Sequence, residues 1–104
     1  MSKDQVKQII KKYKKTLEEL NFPVQAIYIF GSQTKGTTNK WSDIDVAVVS
    51  DKLKRNRDKY RWQLWNARMN IDLRIEPHGF TVKEFQDNTN PLAYEIRKTG
   101  IRIQ

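Results

Sequence analysis

Phe30-Gly31-Ser32-Gln33-Thr34-Lys35-Gly36-Thr37-Thr38-Asn39-Lys40-Trp41-Ser42-Asp43-Ile44-Asp45 joins two apolar runs, residues 24–30 and 44–49, through small, polar and turn-forming residues. Short runs rich in Val, Ile and aromatic residues, bounded by turn formers, read as strands, so the stretch predicts strand, loop, strand. The second strand opens with two acids. A charge in a strand of a small sheet is costly unless it is paired or holds a cation. Side chains at i and i+2 share a face, so Asp43 and Asp45 stand roughly 7 Å apart at Cα, close enough for their carboxylates to converge on one ion. Like charges so placed repel, and a divalent cation removes the conflict. Magnesium suits the pair, being a hard cation that takes a few carboxylates and fills its remaining positions with water and phosphate. Gly31 lets the backbone turn sharply and a ligand come close, while the Ser32 hydroxyl and the amides after it can donate to phosphate oxygens. Lys35 and Lys40 either screen such a phosphate or remain solvated loop lysines. Trp41 either stacks on a base or pins the loop to the domain.

These residues carry a resemblance. Gly31-Ser32, a spacer and Asp43-Ile44-Asp45 together resemble the signature of the polymerase-β-type nucleotidyltransferases. The run Asp43-Ile44-Asp45-Val46-Ala47-Val48-Val49 in so short a chain is similar to their smallest members, the minimal nucleotidyltransferases. The family pattern implies a third carboxylate on a later strand between apolar neighbours, and Ile71-Asp72-Leu73 matches it. More loosely, the resemblance extends to Pro91-Leu92-Ala93-Tyr94-Glu95-Ile96 and to Gly100-Ile101. It implies an α/β (α+β) chain with the polymerase-β-like nucleotidyltransferase fold, a small mixed sheet with helices packed mainly on one face. It also implies a magnesium-dependent nucleotidyltransferase that moves AMP from ATP to a hydroxyl. Asp43 and Asp45 would bridge two magnesium ions, and Asp72 would hold the one that activates the acceptor. Gly31 and Ser32 would grip the β- and γ-phosphates, with Lys35 and Lys40 in the same nucleotide-binding loop. Minimal nucleotidyltransferases commonly serve as antitoxins to HEPN-domain toxins, and some transfer AMP to that toxin, so the expected partners are a nucleoside triphosphate and a HEPN-domain protein. Two further readings stay open: a nucleotidyltransferase directed at RNA or another nucleic acid, and a non-catalytic subunit that blocks a toxin by binding.

The totals are compatible with these expectations. A chain of 104 residues, 38% hydrophobic, is expected to form a single domain over 1–104 with a modest core. Cysteine is absent, which excludes disulfides and thiolate metal sites and suits a reducing cytoplasm. No apolar run approaches the roughly 20 residues that span a bilayer, and the charged N-terminus does not read as a signal peptide. The expected location is therefore the cytoplasm, with no membrane partner. A formal charge of +8 calls for an anionic partner: nucleotide, nucleic acid or an acidic protein surface.

Along the chain, Val6, Ile9, Ile10, Tyr13, Leu17 and Leu20 recur at helical steps and predict an amphipathic helix over residues 3–20, capped by Ser2 or Asp4. Its lysines fall largely off the apolar stripe and read as a solvated face. A second helix is expected over 51–69 with Leu53, Arg57, Tyr60, Leu64 and Ala67 inward. Trp62 and Trp65 do not both fit a narrow stripe. An exposed tryptophan there would mark a partner surface or a base-stacking contact, and the alternative is a wide apolar face. Residues 70–76 read as the third strand, placing Asp72, Arg74 and Glu76 on the face of the acid pair. Glu76 either adds a carboxylate there or pairs with Arg74. His78, beside Pro77 and Gly79, reads as structural. Thr81 with Glu84 forms a capping box, Asn90-Pro91 opens a last helix with Leu92 and Ile96 inward, and 101–103 suggests a short edge strand.

Overall fold

A computed structural model describes residues 2–31 and 43–104. Helix α1 (Lys3–Glu19) starts at a reciprocal cap: the Ser2 hydroxyl accepts from the Gln5 amide at 3.1 Å, and the Gln5 side chain accepts from the Ser2 amide at 2.8 Å. Val6, Ile10, Tyr13 and Leu17 are buried as one stripe, while Leu20, the last residue of the expected stripe, is 46% exposed. The helix ends because Asn21 adopts a left-handed backbone (φ 61°) and Phe22 turns its amide back to the Leu17 carbonyl at 2.9 Å.

The sheet has strand order β3-β2-β1-β4, with β1 Ala26–Phe30, β2 Ile44–Val49, β3 Ile75–Phe80 and β4 Ile101–Arg102. β1 runs antiparallel to β2 and β4, whereas β2 and β3 are parallel. A parallel pair needs a crossover, which is supplied by a 3-10 turn at Asp51–Lys54 and helix α2 (Arg57–Ala67). The expected long helix over 51–69 is therefore broken where Asn56 caps α2 through the Lys59 amide. Ile27, Ile29, Ile44, Val46, Val48 and Ile75 pack with Val6, Ile10, Leu17 and Leu64 into the main core, so α1 and α2 cover one face. Deep in this layer the Tyr13 hydroxyl donates to the Leu64 carbonyl at 2.7 Å, and burial pushes its pKa far above the ordinary phenol range.

A second, smaller cluster lies on the opposite face. Ala47, Val49 and Phe80 meet Phe85, Ala93 and Ile96 from α3 (Val82–Gln86) and α4 (Pro91–Thr99). The capping box of Thr81 with Glu84 and the Asn90 cap followed by Pro91 start these helices as the sequence suggests. Ala93 rather than Leu92 turns inward; Leu92 is 41% exposed. The half of this face bearing Phe30, Asp45, Glu76 and His78 is only partly buried.

The third strand is the main departure from the sequence reading, beginning at Ile75 instead of residue 70. A 3-10 turn at Arg68–Asn70 prolongs α2, the Arg68 carbonyl accepts from the Ile71 and Asp72 amides, and the Arg68 guanidinium donates to the Leu73 and Ile75 carbonyls. Chain held in that way cannot pair with β2, and Leu73, expected in the core, is 60% exposed. Pro77 is tolerated because β3 is an edge strand. The carbonyls of Arg74, just before β3, and Phe80, at its end, accept from the amides of Ile44 and of Ser50, just after β2, so Pro77, odd-numbered, faces the outer edge, where no donor to β2 is needed.

Candidate active site

Three neighbouring strands bring the site residues together. Phe30 on β1, Asp45 on β2 and Glu76 on β3 are register partners, so Asp45 and Glu76 project from adjacent strands on one face, about 4.8 Å apart at the backbone. The pairing lets a hydrogen bond form between their carboxyl groups when one of them is protonated. Burial raises the Glu76 pKa most, followed by the bond to Asp45 and by the charges of Asp43 and Asp45, with His78 pulling the other way. Asp43 therefore belongs to the same electrostatic cluster, immediately ahead of β2.

Gly31 closes the cluster from the end of β1. Its backbone is left-handed (φ +75°), and a Cβ there would lie 2.7 Å from Asp45 Oδ2. Glycine is thus required both by the turn and by the space that the carboxylate occupies. His78 Nε2 lies 3.4 Å from Asp45 Oδ1, and its ring meets Phe30 edge-on at 5.2 Å between centroids. The histidine read as structural from the sequence borders the acids.

Asp72 is placed elsewhere. It sits in the turn before β3, where its carboxylate accepts from the Arg74 amide and Nε at 2.9 Å and pairs with Arg74 Nη2 at 2.5 Å. The Arg74 side chain holds the Asp72 pKa below the ordinary carboxylate range. The expectation that Asp72 completes the acid cluster is corrected: the late β3 start leaves it in a local turn, and Glu76, four residues on, stands beside Asp45. Arg74 pairs with Asp72, whereas the sequence suggested a pair with Glu76. A signal for Glu76 existed, since Ile75-Glu76-Pro77 also sets an acid between apolar residues, but alternation made residues 70–76 look like the strand. Ser32, Lys35, Lys40 and Trp41 lie outside the described residues.

Among the described residues no group of three acid or imidazole side chains is gathered into a preformed metal cage. The donor chemistry nonetheless fits magnesium, which binds through one or two carboxylates and substrate phosphates rather than a dedicated cage. Two carboxylates on adjacent strands beside a third charge are what an uncompensated cation site looks like.

This sheet, with a Gly-turn facing clustered acids, defines a nucleotidyltransferase. The sequence matches the family described as Polymerase beta, Nucleotidyltransferase over residues 5–104, and the chain belongs to that family. A Methanocaldococcus jannaschii protein named as a protein adenylyltransferase, MJ1215, is 46% identical over 44 residues, covering 42% of this chain and 50% of that relative. The chain thus matches about half the length of this curated relative. Among solved structures, a toxin–antitoxin complex with AMP-PNP is similar with TM-score 0.66 and 26% identity, over 94% of this chain and 72% of the other. A mutant of the toxin–antitoxin MntA–HpeT shares the fold with TM-score 0.62 and 24% identity, over 90% and 71% of the two chains. No helix among the described residues is long and apolar enough to cross a membrane.

Proposed function

We propose that this chain transfers AMP from ATP to a hydroxyl group on a partner protein, acting in the cytoplasm as the antitoxin of a HEPN-domain toxin. The observation that carries the reading is Asp45 paired with Glu76 across adjacent strands, under the left-handed turn at Gly31 and within reach of the Asp43 charge. The relative named as a protein adenylyltransferase and the toxin–antitoxin complex with AMP-PNP support the donor and the kind of partner. In the reaction the acceptor oxygen forms a bond to the α-phosphorus of ATP. The bond from that phosphorus to the bridging oxygen breaks, pyrophosphate leaves with the electron pair, and the hydroxyl proton is lost to solvent. Two magnesium ions, held by Asp43, Asp45 and Glu76, would supply charge neutralisation at the phosphate and a lower pKa at the acceptor hydroxyl.

The chain's own residues have separable tasks. Asp45, fixed between Gly31 and Glu76, sets where the charge sits. Burial and the neighbouring acids raise the Glu76 pKa, and a bound cation would lower it again. The turn at Gly31 lets phosphate approach the backbone. Ser32, Lys35 and Lys40, which follow in the sequence, are assigned to the triphosphate on the strength of the family resemblance. Incubation with α-labelled ATP, magnesium and the co-purifying partner, beside Asp43→Asn, tests the reading. Label on the partner that disappears in the variant is expected. Absence of label with the unaltered chain, or its persistence in Asp43→Asn, refutes it.

A further inference from the structure

His78 borders two sites. One of its ring nitrogens reaches Asp45, and the same residue lines a cavity of about 330 Å³ together with Arg57, Arg61, Trp65 and Leu92. Arg57, Arg61 and Trp65 follow one another at steps of four along α2, which places them in one row over two helical turns, roughly 12 Å. The row faces the outer edge of β3, and Leu92 of α4 forms the opposite wall. How this row receives an acid is visible within the chain: Arg57 Nη2 donates to both Glu84 carboxylate oxygens, at 2.7 and 2.8 Å. Arg61, one turn further and exposed, presents the same guanidinium fork. Trp65 is 37% exposed, with the guanidinium of Arg68, in the 3-10 turn that follows α2, 4.8 Å from its ring centre.

We infer that this cavity is the acceptor-side subsite and that it takes an acidic peptide segment. A carboxylate of the segment pairs with Arg61, a neighbouring apolar or aromatic side chain rests between Trp65 and Leu92, and the acceptor hydroxyl passes His78 towards Asp45. The inference rests on the protein-directed transfer proposed above and names the acceptor's chemistry. Charge complementarity favours an acidic occupant, since the chain carries +8 and, with Arg57 paired to Glu84, the row still presents Arg61. The mixed lining, with Trp65, Phe80 and Leu92 beside the arginines, and the small volume suit one or two side chains, whereas a nucleic-acid strand calls for cations spaced along its phosphates.

Fluorescence anisotropy with a labelled peptide of glutamates flanking one tyrosine, and with its counterpart bearing lysines in place of glutamates, tests the inference without requiring turnover. The unaltered chain is expected to bind the acidic peptide at least about tenfold more tightly than the basic one. Arg61→Glu should lose about tenfold or more, and Lys11→Glu, a charge-matched change on exposed α1, about threefold or less. Binding of ATP with magnesium should be the same in all three. The inference is overturned if Arg61→Glu behaves like Lys11→Glu, if the acidic peptide shows no saturable binding, or if a single-stranded RNA octamer binds more tightly and depends on Arg61. Arg61-dependent peptide binding combined with no labelled product from α-labelled ATP would instead refute the transfer reading.

Discussion

Glu76→Gln and Asp72→Asn, made separately, are expected to have opposite consequences, because the structure gives the two acids different surroundings. The Asp72 carboxylate, 13% exposed in its side chain, makes three hydrogen bonds to Arg74, whose side chain is 28% exposed. An amide there keeps a weaker bond to the backbone and loses the ion pair, leaving a half-buried guanidinium less well matched. A charge-assisted pair of this kind contributes roughly 1–2 kcal/mol. In a domain of this size that lowers Tm by about 5–15 °C. Activity measured well below the transition should change by no more than about threefold. Glu76→Gln removes a carboxylate held beside two others, so relief of repulsion should leave Tm within about 3 °C of the unaltered chain or above it. Loss of an electrostatic group at the reacting phosphate costs roughly 2.7–4 kcal/mol, or about 100- to 1,000-fold in rate. Thermal melts beside labelled-AMP transfer to the co-purifying partner read both quantities. An Asp72→Asn protein that melts normally and is inactive, next to an active Glu76→Gln, would refute the assignment.

The raised pKa of Glu76 has a signed consequence. Between its unfolded and folded values the folded chain holds more protons, so this group's contribution to stability falls as pH rises through that window. Glu76→Gln should therefore be more stable than the unaltered chain at pH 7, and the difference should vanish on acidification below the ordinary glutamate range, as urea midpoints at stepped pH will show. Gly31→Ala forces a side chain into a left-handed backbone at a cost of about 1–2 kcal/mol and sets its Cβ on Asp45 Oδ2, so Tm should fall by roughly 5–15 °C and transfer should drop at least about tenfold. An unchanged melt would contradict the turn geometry. Tyr13→Phe removes the donor to the buried Leu64 carbonyl and should cost about 1–2 kcal/mol in urea unfolding, with AMP transfer intact.

How much of this was legible in the sequence depended on how local the cause was. The α1 stripe, the Ser2 cap, the Thr81–Glu84 box and the Asn90-Pro91 start are set by residues within a turn of each other, and each appears where the pattern places it. The place of Asp43 and Asp45 at the opening of β2 was legible because two acids opening an apolar run conflict with burial. The third strand was not, because its position is decided by pairing with β2 and by the Arg68 clamp, both long-range. Ile71, Leu73 and Ile75 alternate as a strand should, while the true strand holds Pro77 and Gly79, residues that local propensity counts against. That displacement by five residues gave Asp72 the place beside Asp45 in the sequence reading and left Glu76 as a further carboxylate or a partner for Arg74. The second core cluster under α3 and α4 was missed for a related reason. It covers only part of the acid-bearing face, and no single-helix pattern reports which end of a sheet a helix will cover.

The most direct measurement is the anomalous scattering of manganese in crystals of the chain grown with AMP-PNP. Density between Asp43, Asp45 and Glu76, bridged to the phosphates, is the predicted result. Manganese coordinated by Asp72, or a nucleotide bound with no metal on those three carboxylates, would contradict it.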